Sequence, residues 1–158
     1  MRPARMLLAV LGVLLPGAAT ADSTVIGKKD GTEVVTVRVP AAEASKQGLP
    51  IFAGVSGKTA GARGMSMLRV VIPPGGKAKA HIHKGYETAV YLIQGRVETR
   101  FGEGLKKRVV NQAGDFIYIP SDVPHQPFNL SQTEPAIAIV ARTDPNEQES
   151  VVLYPHDK

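Results

Sequence analysis

The chain has 158 residues, 43% of them hydrophobic, a formal net charge of +5, four tyrosines, four phenylalanines, no tryptophan and no cysteine. Without cysteine there is no disulfide scaffold and the fold must be held by packing alone, and so few aromatics leave no stacking platform for nucleic acid. Positive charge is spread along the chain, and its one local cluster, Lys106-Lys107-Arg108, reads as a solvated hairpin tip.

Residues 1–21 read as a secretory signal. Arg2 and Arg5 give a basic start, Met6 to Leu15 an apolar core, and Ala19-Thr20-Ala21 a small-residue cleavage site. The apolar stretch is about ten residues, short of the roughly twenty that span a bilayer, so no stable membrane anchor is expected after cleavage. There is no twin arginine, and without cysteine no lipid attachment site. Residues 22–158 are then expected to form one domain, periplasmic or secreted, with a net charge near +3 once the two arginines are removed from +5.

Glu33 to Val39 is a β-branched run with strand propensity, ended by Pro40. Ala41 to Lys46 suits a short helical turn before Gly48-Leu49-Pro50, and residues 51 to 64, with four glycines, suit irregular loop or short strands. Met67 to Ile72 is an apolar run stopped by Pro73-Pro74-Gly75-Gly76. Short strands are expected over Ala78 to His83, Ala89 to Ile93, Val97 to Phe101, Lys107 to Asn111, Phe116 to Ile119, Ala136 to Arg142 and Val151 to Tyr154. Strands at intervals of about ten residues, each closed by Gly or Pro, indicate an all-β barrel or sandwich.

Other signals are weaker. Gly57-Lys58-Thr59 has the tail of a phosphate-binding loop but lacks the glycine five positions earlier, where Phe52 stands. No G-x-S-x-G elbow is present. Asn129-Leu130-Ser131 is a glycosylation sequon, although Asn129 is better read as support for a turn.

Three histidines and a glutamate carry the chemistry. His81 and His83 are two apart, so both rings project from one face of a strand. Lys84-Gly85 reads as a turn after which Glu87 opens the next strand, and His125 follows the apolar run Phe116 to Ile119. Three imidazoles and one carboxylate meeting inside a small barrel suit a divalent first-row metal with positions open to water or substrate. His156, close to the end of the sequence, reads as a solvated side chain.

The blocks Gly75-x5-His81-Ile82-His83, Glu87, Gly95 and Gly114-Asp115-Phe116-Ile117-Tyr118-Ile119-Pro120, His125, Asn129 resemble the two signature motifs of the cupin family. The resemblance covers residues 65–142. Asp122 stands where the family usually has glycine, a mild change because Asp tolerates turn conformations. Seven residues rather than six separate Glu87 from Gly95, so Thr88 competes for the acidic position. Glu87 is preferred because threonine is a poor ligand and a one-residue bulge would restore the register.

The resemblance implies an RmlC-like jelly-roll, an antiparallel β-barrel. It implies one divalent ion per chain (Fe, Mn, Ni or Zn) on His81, His83, Glu87 and His125, with Glu87 also serving as catalytic base. Cupins of this kind act as dioxygenases, isomerases, decarboxylases and lyases. The reading carried forward is an exported metal-dependent enzyme with dioxygenase-type chemistry on a small oxygenated organic molecule. The alternative is a non-catalytic module that binds metal or sugar. Tyr86, Tyr91, Arg69 and Tyr118 are candidate pocket groups. The 33–39 strand lies outside the motifs and needs a partner, so a homodimer formed by strand exchange is expected.

Overall fold

The computed structural model describes residues 23–39, 41–146, 148 and 150–155. The expected signal segment and its cleavage point, Pro40 as a strand terminator, and His156 lie outside the described residues. Among the described residues no helix is long and apolar enough to cross a membrane.

Alternation of apolar and polar residues, broken by glycine and proline, produces thirteen strands. In chain order they are β1 Thr24–Ile26, β2 Thr36–Arg38, β3 Glu43–Ala44, β4 Pro50–Val55, β5 Ser66–Ile72, β6 His81–His83 and β7 Thr88–Gln94. They continue with β8 Arg96–Phe101, β9 Lys107–Gln112, β10 Phe116–Ile119, β11 His125–Asn129, β12 Ala136–Arg142 and β13 Val151–Leu153. A six-stranded sheet runs β10-β7-β12-β5-β4-β3 and a five-stranded sheet runs β13-β6-β11-β8-β9. All pairings are antiparallel. This is the expected jelly roll, with every long connection crossing between sheets rather than within one.

The two inner faces make one core. Leu68, Val70 and Ile72 of β5 meet Leu49, Ile51, Leu92, Val97 and Ala136, with Ala138 and Val140 against them. The period-2 pattern of β5 is complete, with Ser66, Leu68, Val70 and Ile72 buried and Met67 and Arg69 exposed. Burial of this aliphatic set is the main favourable term, on the order of 25 cal/mol per Å² of apolar surface removed from water.

Four local expectations are corrected. The 41–46 stretch is not a helical turn but carries β3, and a four-residue helix, α1 Gly57–Ala60, forms inside the region expected to be loop. Ser56 caps it by accepting from Thr59 N, and Gly61 at φ 73° closes it, a conformation that suits glycine. The strand expected over 33–39 shrinks to β2 and finds its partner in β1 of the same chain, Val25 opposite Val37. The edge that seemed to require a second copy is therefore covered locally. The fourth correction is β11, which was not expected because Pro127 interrupts it. The Pro127 carbonyl accepts from Ala78 N at 3.0 Å, so its nitrogen faces the same side, beyond the end of β6, where the ladder asks for no donor.

Candidate metal centre

His81 and His83 are the ends of β6, and His125 opens β11 directly opposite His81. Residue parity sends both β6 rings inward, and the cross-strand pairing sets His125 beside them. Ring centroids lie 5.0 Å apart for His81 and His83, 4.3 Å for His81 and His125, and 5.1 Å for His83 and His125. One nitrogen from each falls within 4.8 Å of the others, and all three residues are buried. A group of this kind can hold a metal ion.

The tautomers follow from the hydrogen bonds. His81 Nδ1 lies 2.8 Å from the Lys79 carbonyl and His125 Nδ1 lies 2.9 Å from the Val123 carbonyl. A carbonyl only accepts, so Nδ1 carries the proton in both rings and Nε2 keeps its lone pair, the arrangement that orients a metal ligand. His83 reaches the same state by another route. Arg142 Nη2 donates to its Nε2 at 3.4 Å, and its Nδ1 is buried without a hydrogen-bond partner. All three imidazoles thus present Nε2 as acceptor.

Their protonation is consistent with that. Burial, then the neighbouring His125, pushes His81 down to about 3. Burial and then Arg142 push His83 well below the ordinary imidazole value. Burial lowers His125 against the opposing pull of the Val123 carbonyl. Three neutral nitrogen donors in a desolvated site fit a divalent first-row ion.

Glu87 is not brought to this group. Its side chain is exposed and accepts from the Tyr118 hydroxyl on the outer surface, an interaction that raises the Tyr118 pKa. The reason is parity along β7. Thr88, Val90 and Leu92 point inward while Ala89 and Tyr91 point outward, which turns Glu87 out. The bulge that the spacing calls for does exist, but it falls after Leu92. Ala138 pairs with Leu92 whereas Ile137 pairs with Gln94. The extra residue is absorbed next to Gly95, and Thr88, 2% exposed, takes the inward position. Glu87 as metal ligand and catalytic base is therefore corrected to Thr88 as wall residue.

Arg142 is the residue that sequence reasoning missed. It ends β12, 4% exposed, with Nε 3.4 Å from Thr88 Oγ1 and Nη2 on His83. The signal was available, because Ala136, Ala138, Val140 and Arg142 share one parity and the first three are inward-facing. The cavity below the histidines is lined by Leu49, Val70, Ile72, Leu92, Val97 and Val140, with Gln47, Thr88, Thr99 and Arg142 among its polar wall residues. None of the four suggested pocket groups lines it. Arg69 lies over the Phe52 ring at 3.8 Å, and Tyr86, Tyr91 and Tyr118 are exposed.

Two supporting features match the motif reading. Asp122 adopts φ 62°, which explains a preference for glycine there, and its Oδ1 accepts from Gly85 N at 3.1 Å, tying down the turn after His83. Asn129 is 4% exposed and donates to the carbonyls of Ile72, Pro73 and Glu134 while accepting from Ser131 N. Its amide is committed to the turn.

A two-sheet jelly roll with a buried three-histidine group at one end of its cavity defines a class of small metal-site barrels. The family described as Cupin domain matches residues 68–142, and the chain belongs to the cupin family. No match is found among curated proteins. Among solved structures, the chain is similar to a Klebsiella pneumoniae protein described as an uncharacterized conserved protein with a double-stranded beta-helix domain. That likeness has 17% identity and a TM-score of 0.58, covering 72% of this chain and 90% of that one. It is also similar to an oxalate oxidase in complex with the substrate analogue glycolate, at 25% identity and TM-score 0.60, over 73% of this chain and 60% of that one. A Bacillus subtilis oxalate decarboxylase with Mn(II) centres matches at 18% identity and TM-score 0.61, over 72% of this chain and 29% of that one. The chain thus spans well under two thirds of the decarboxylase and somewhat under two thirds of the oxidase.

Proposed function

We propose that this protein is an exported metal-dependent cupin enzyme acting on a small oxygenated organic molecule, with dioxygenase-type or related chemistry. The observation that carries the proposal is the convergence of three neutral imidazoles, two of them locked by backbone carbonyls, at the buried end of an aliphatic cavity. A bound Fe, Mn, Ni or Zn ion would supply Lewis acidity there, or with iron or manganese one-electron chemistry with O2. The protein's own residues do the rest. His81, His83 and His125 hold the ion, Arg142 and Thr88 contact the ligand from the β12 and β7 side, and the aliphatic wall excludes bulk water. The likeness to an oxalate oxidase at 25% identity supports this choice of chemistry.

One observation favours the alternative, a binding module without turnover. No carboxylate is among the described residues that line the cavity, so an acid-base group of the kind first assigned to Glu87 is missing from the wall. Elemental analysis of purified mature protein followed by an oxygen-uptake screen separates the two readings. Iron or manganese with substrate-dependent uptake supports the enzyme; an inert zinc site supports the module.

The export reading rests on Arg2, Arg5, the Met6 to Leu15 apolar run and Ala19-Thr20-Ala21, with the mature chain starting at Asp22. A homodimer is also part of the proposal, now placed on the outer face of the six-stranded sheet. Phe116 is 85% and Tyr118 62% exposed there, beside Met67, Tyr91 and Ile139, and β10 is the sheet's edge strand. A monomer seldom leaves a contiguous apolar patch beyond a few hundred Å² in water. A second copy of the same face, brought together about a two-fold axis, would cover it.

A further inference from the structure

We propose that the cavity takes a small monocarboxylate with an apolar body, its carboxylate held by the Arg142 guanidinium beside the metal position. The inference rests on the metal-site reading and narrows it to a ligand class.

The wall sets two requirements. Six aliphatic side chains from β5, β7, β8, β12 and the segment before β4 make most of the surface, so the body of the ligand must be apolar. The polar end of the cavity is electrically one-sided. The three histidines are neutral, no described lining residue is acidic, and Arg142 contributes a positive charge that no pH in the ordinary range removes. Its two contacts named above, Thr88 Oγ1 and His83 Nε2, are to neutral groups at 3.4 Å, longer than a charge-assisted bond to a carboxylate, about 2.8 Å. A planar guanidinium fork presents parallel donors that match a carboxylate, and burial strengthens that pairing.

Metal loading and ligand binding are then coupled through His83. Its Nε2 cannot both accept from Arg142 and coordinate an ion. Occupying the three-histidine group therefore releases Arg142 Nη2 at the edge of the metal position. It also adds two positive charges without a protein carboxylate to offset them, because Thr88 stands in the inward position of β7. A carboxylate answers both needs, with one oxygen toward the ion and the other toward the guanidinium. A neutral molecule of the same shape answers neither. Removing Arg142 should consequently act in opposite directions on metal and on ligand, which a merely structural arginine would not do.

The test is titration of wild type, Arg142→Met and Arg142→Gln with Co2+, read by cobalt visible absorption, followed by calorimetric titration of each loaded protein with butyrate, acetate and butyramide. Wild type is expected to bind butyrate at least tenfold tighter than butyramide, and tighter than acetate by roughly threefold to fourfold per added methylene. Both variants should bind Co2+ several-fold tighter and butyrate at least tenfold weaker. Arg142→Gln keeps a donor while losing the charge, and so decides the matter if Arg142→Met does not fold. Equal affinity of wild type for butyrate and butyramide overturns the proposal, as does undiminished butyrate binding in a folded variant. Acetate binding as tightly as butyrate overturns the apolar body. A wild type that takes up no cobalt overturns the metal reading, and the inference with it.

Discussion

Arg142 Nη2 lies 3.4 Å from Nε2 of His83, so the nitrogen that a metal ion needs is shared with a guanidinium from the opposite sheet. β12 delivers Arg142 because its alternation continues unbroken from Ala136, and β6 delivers His83 because two residues separate it from His81. In this form the positive end of the cavity is made by an arginine. In a loaded form it would be made by an arginine and an ion together.

The first prediction concerns stoichiometry. The protein is expected to bind one divalent ion per chain, and alanine at His81, His83 or His125 should lower its affinity at least a hundredfold, since each removes one of three donors. The aliphatic core does not depend on these rings, so far-UV circular dichroism should persist. Metal analysis showing full occupancy in the His81→Ala, His83→Ala double variant would refute the site.

Stability should depend on pH through the same residues. Each of the three histidines has a folded-state pKa below the ordinary 6.5, with His81 at about 3. Below about pH 6.5 the unfolded chain therefore binds protons that the folded chain refuses. Stability rises with pH across that window and is lost as pH falls from 6.5 toward 3. Bound metal should dissociate in the same direction, because protons compete for the same lone pairs. Urea midpoints measured without metal should be level from pH 8 to 7 and decline below 6.5. A steeper decline in wild type than in a folded His81→Gln, His125→Gln protein would assign the effect. Equal slopes would remove these residues from the account.

Much of this was legible in the sequence because period and punctuation carry it. The strands β5, β7, β8, β9, β10 and β12 lie within a residue or two of the apolar runs bounded by Gly and Pro. The three histidines were found because spacing of two on a strand fixes a shared face. What failed was parity across a turn. Nothing local says whether the extra residue between His83 and Gly95 is absorbed before or after Leu92. That choice is made by the core, which needs Val90 and Leu92 inside and so turns Glu87 out. Arg142 was missed for a related reason. A charged residue ending an apolar run reads as the surface terminus of a strand, and only the depth of the cavity at that end makes it interior.

Gly95 offers a check on the core around that bulge. Its φ is +93°, and a Cβ there would stand 2.9 Å from Ala136 Cβ and 3.0 Å from Ala136 Cα. Gly95→Ala combines a strained backbone with overpacking against a residue only 1% exposed. A loss of about 2 kcal/mol or more is expected. Denaturant unfolding within 0.5 kcal/mol of wild type would mean that the bulge repositions freely.

The outer sheet face predicts the oligomeric state. Phe116 and Tyr118 lie on the edge strand β10, and the Phe116 ring packs against Tyr91 at 4.7 Å. Wild type should sediment as a dimer at micromolar concentration, and Phe116→Glu should shift it to monomer without loss of metal. Charge at that position meets its own copy near a two-fold axis and costs desolvation twice. A monomeric wild type contradicts the dimer, and an unshifted Phe116→Glu dimer contradicts this face.

The register of β7 yields the last prediction. Glu87 is held outside by Tyr118 and Thr88 is inside, touching Arg142. Glu87→Gln should therefore leave metal affinity unchanged within about twofold, while lowering the Tyr118 pKa toward its ordinary value of 10.0 by weakening the hydrogen bond that raises it. Thr88→Glu should do the reverse of an ordinary buried-charge substitution. Its carboxylate would enter a site that holds Arg142 and faces the three histidines, so it gains a cationic neighbour even before metal is added. With metal it supplies a fourth ligand, and affinity should rise about tenfold or more, roughly 1.4 kcal/mol. The same carboxylate would occupy Arg142, so butyrate binding should fall. Co2+ and butyrate titrations of Glu87→Gln and Thr88→Glu side by side decide the register. A tenfold loss of metal in Glu87→Gln, with no gain in Thr88→Glu, would return the glutamate to the site.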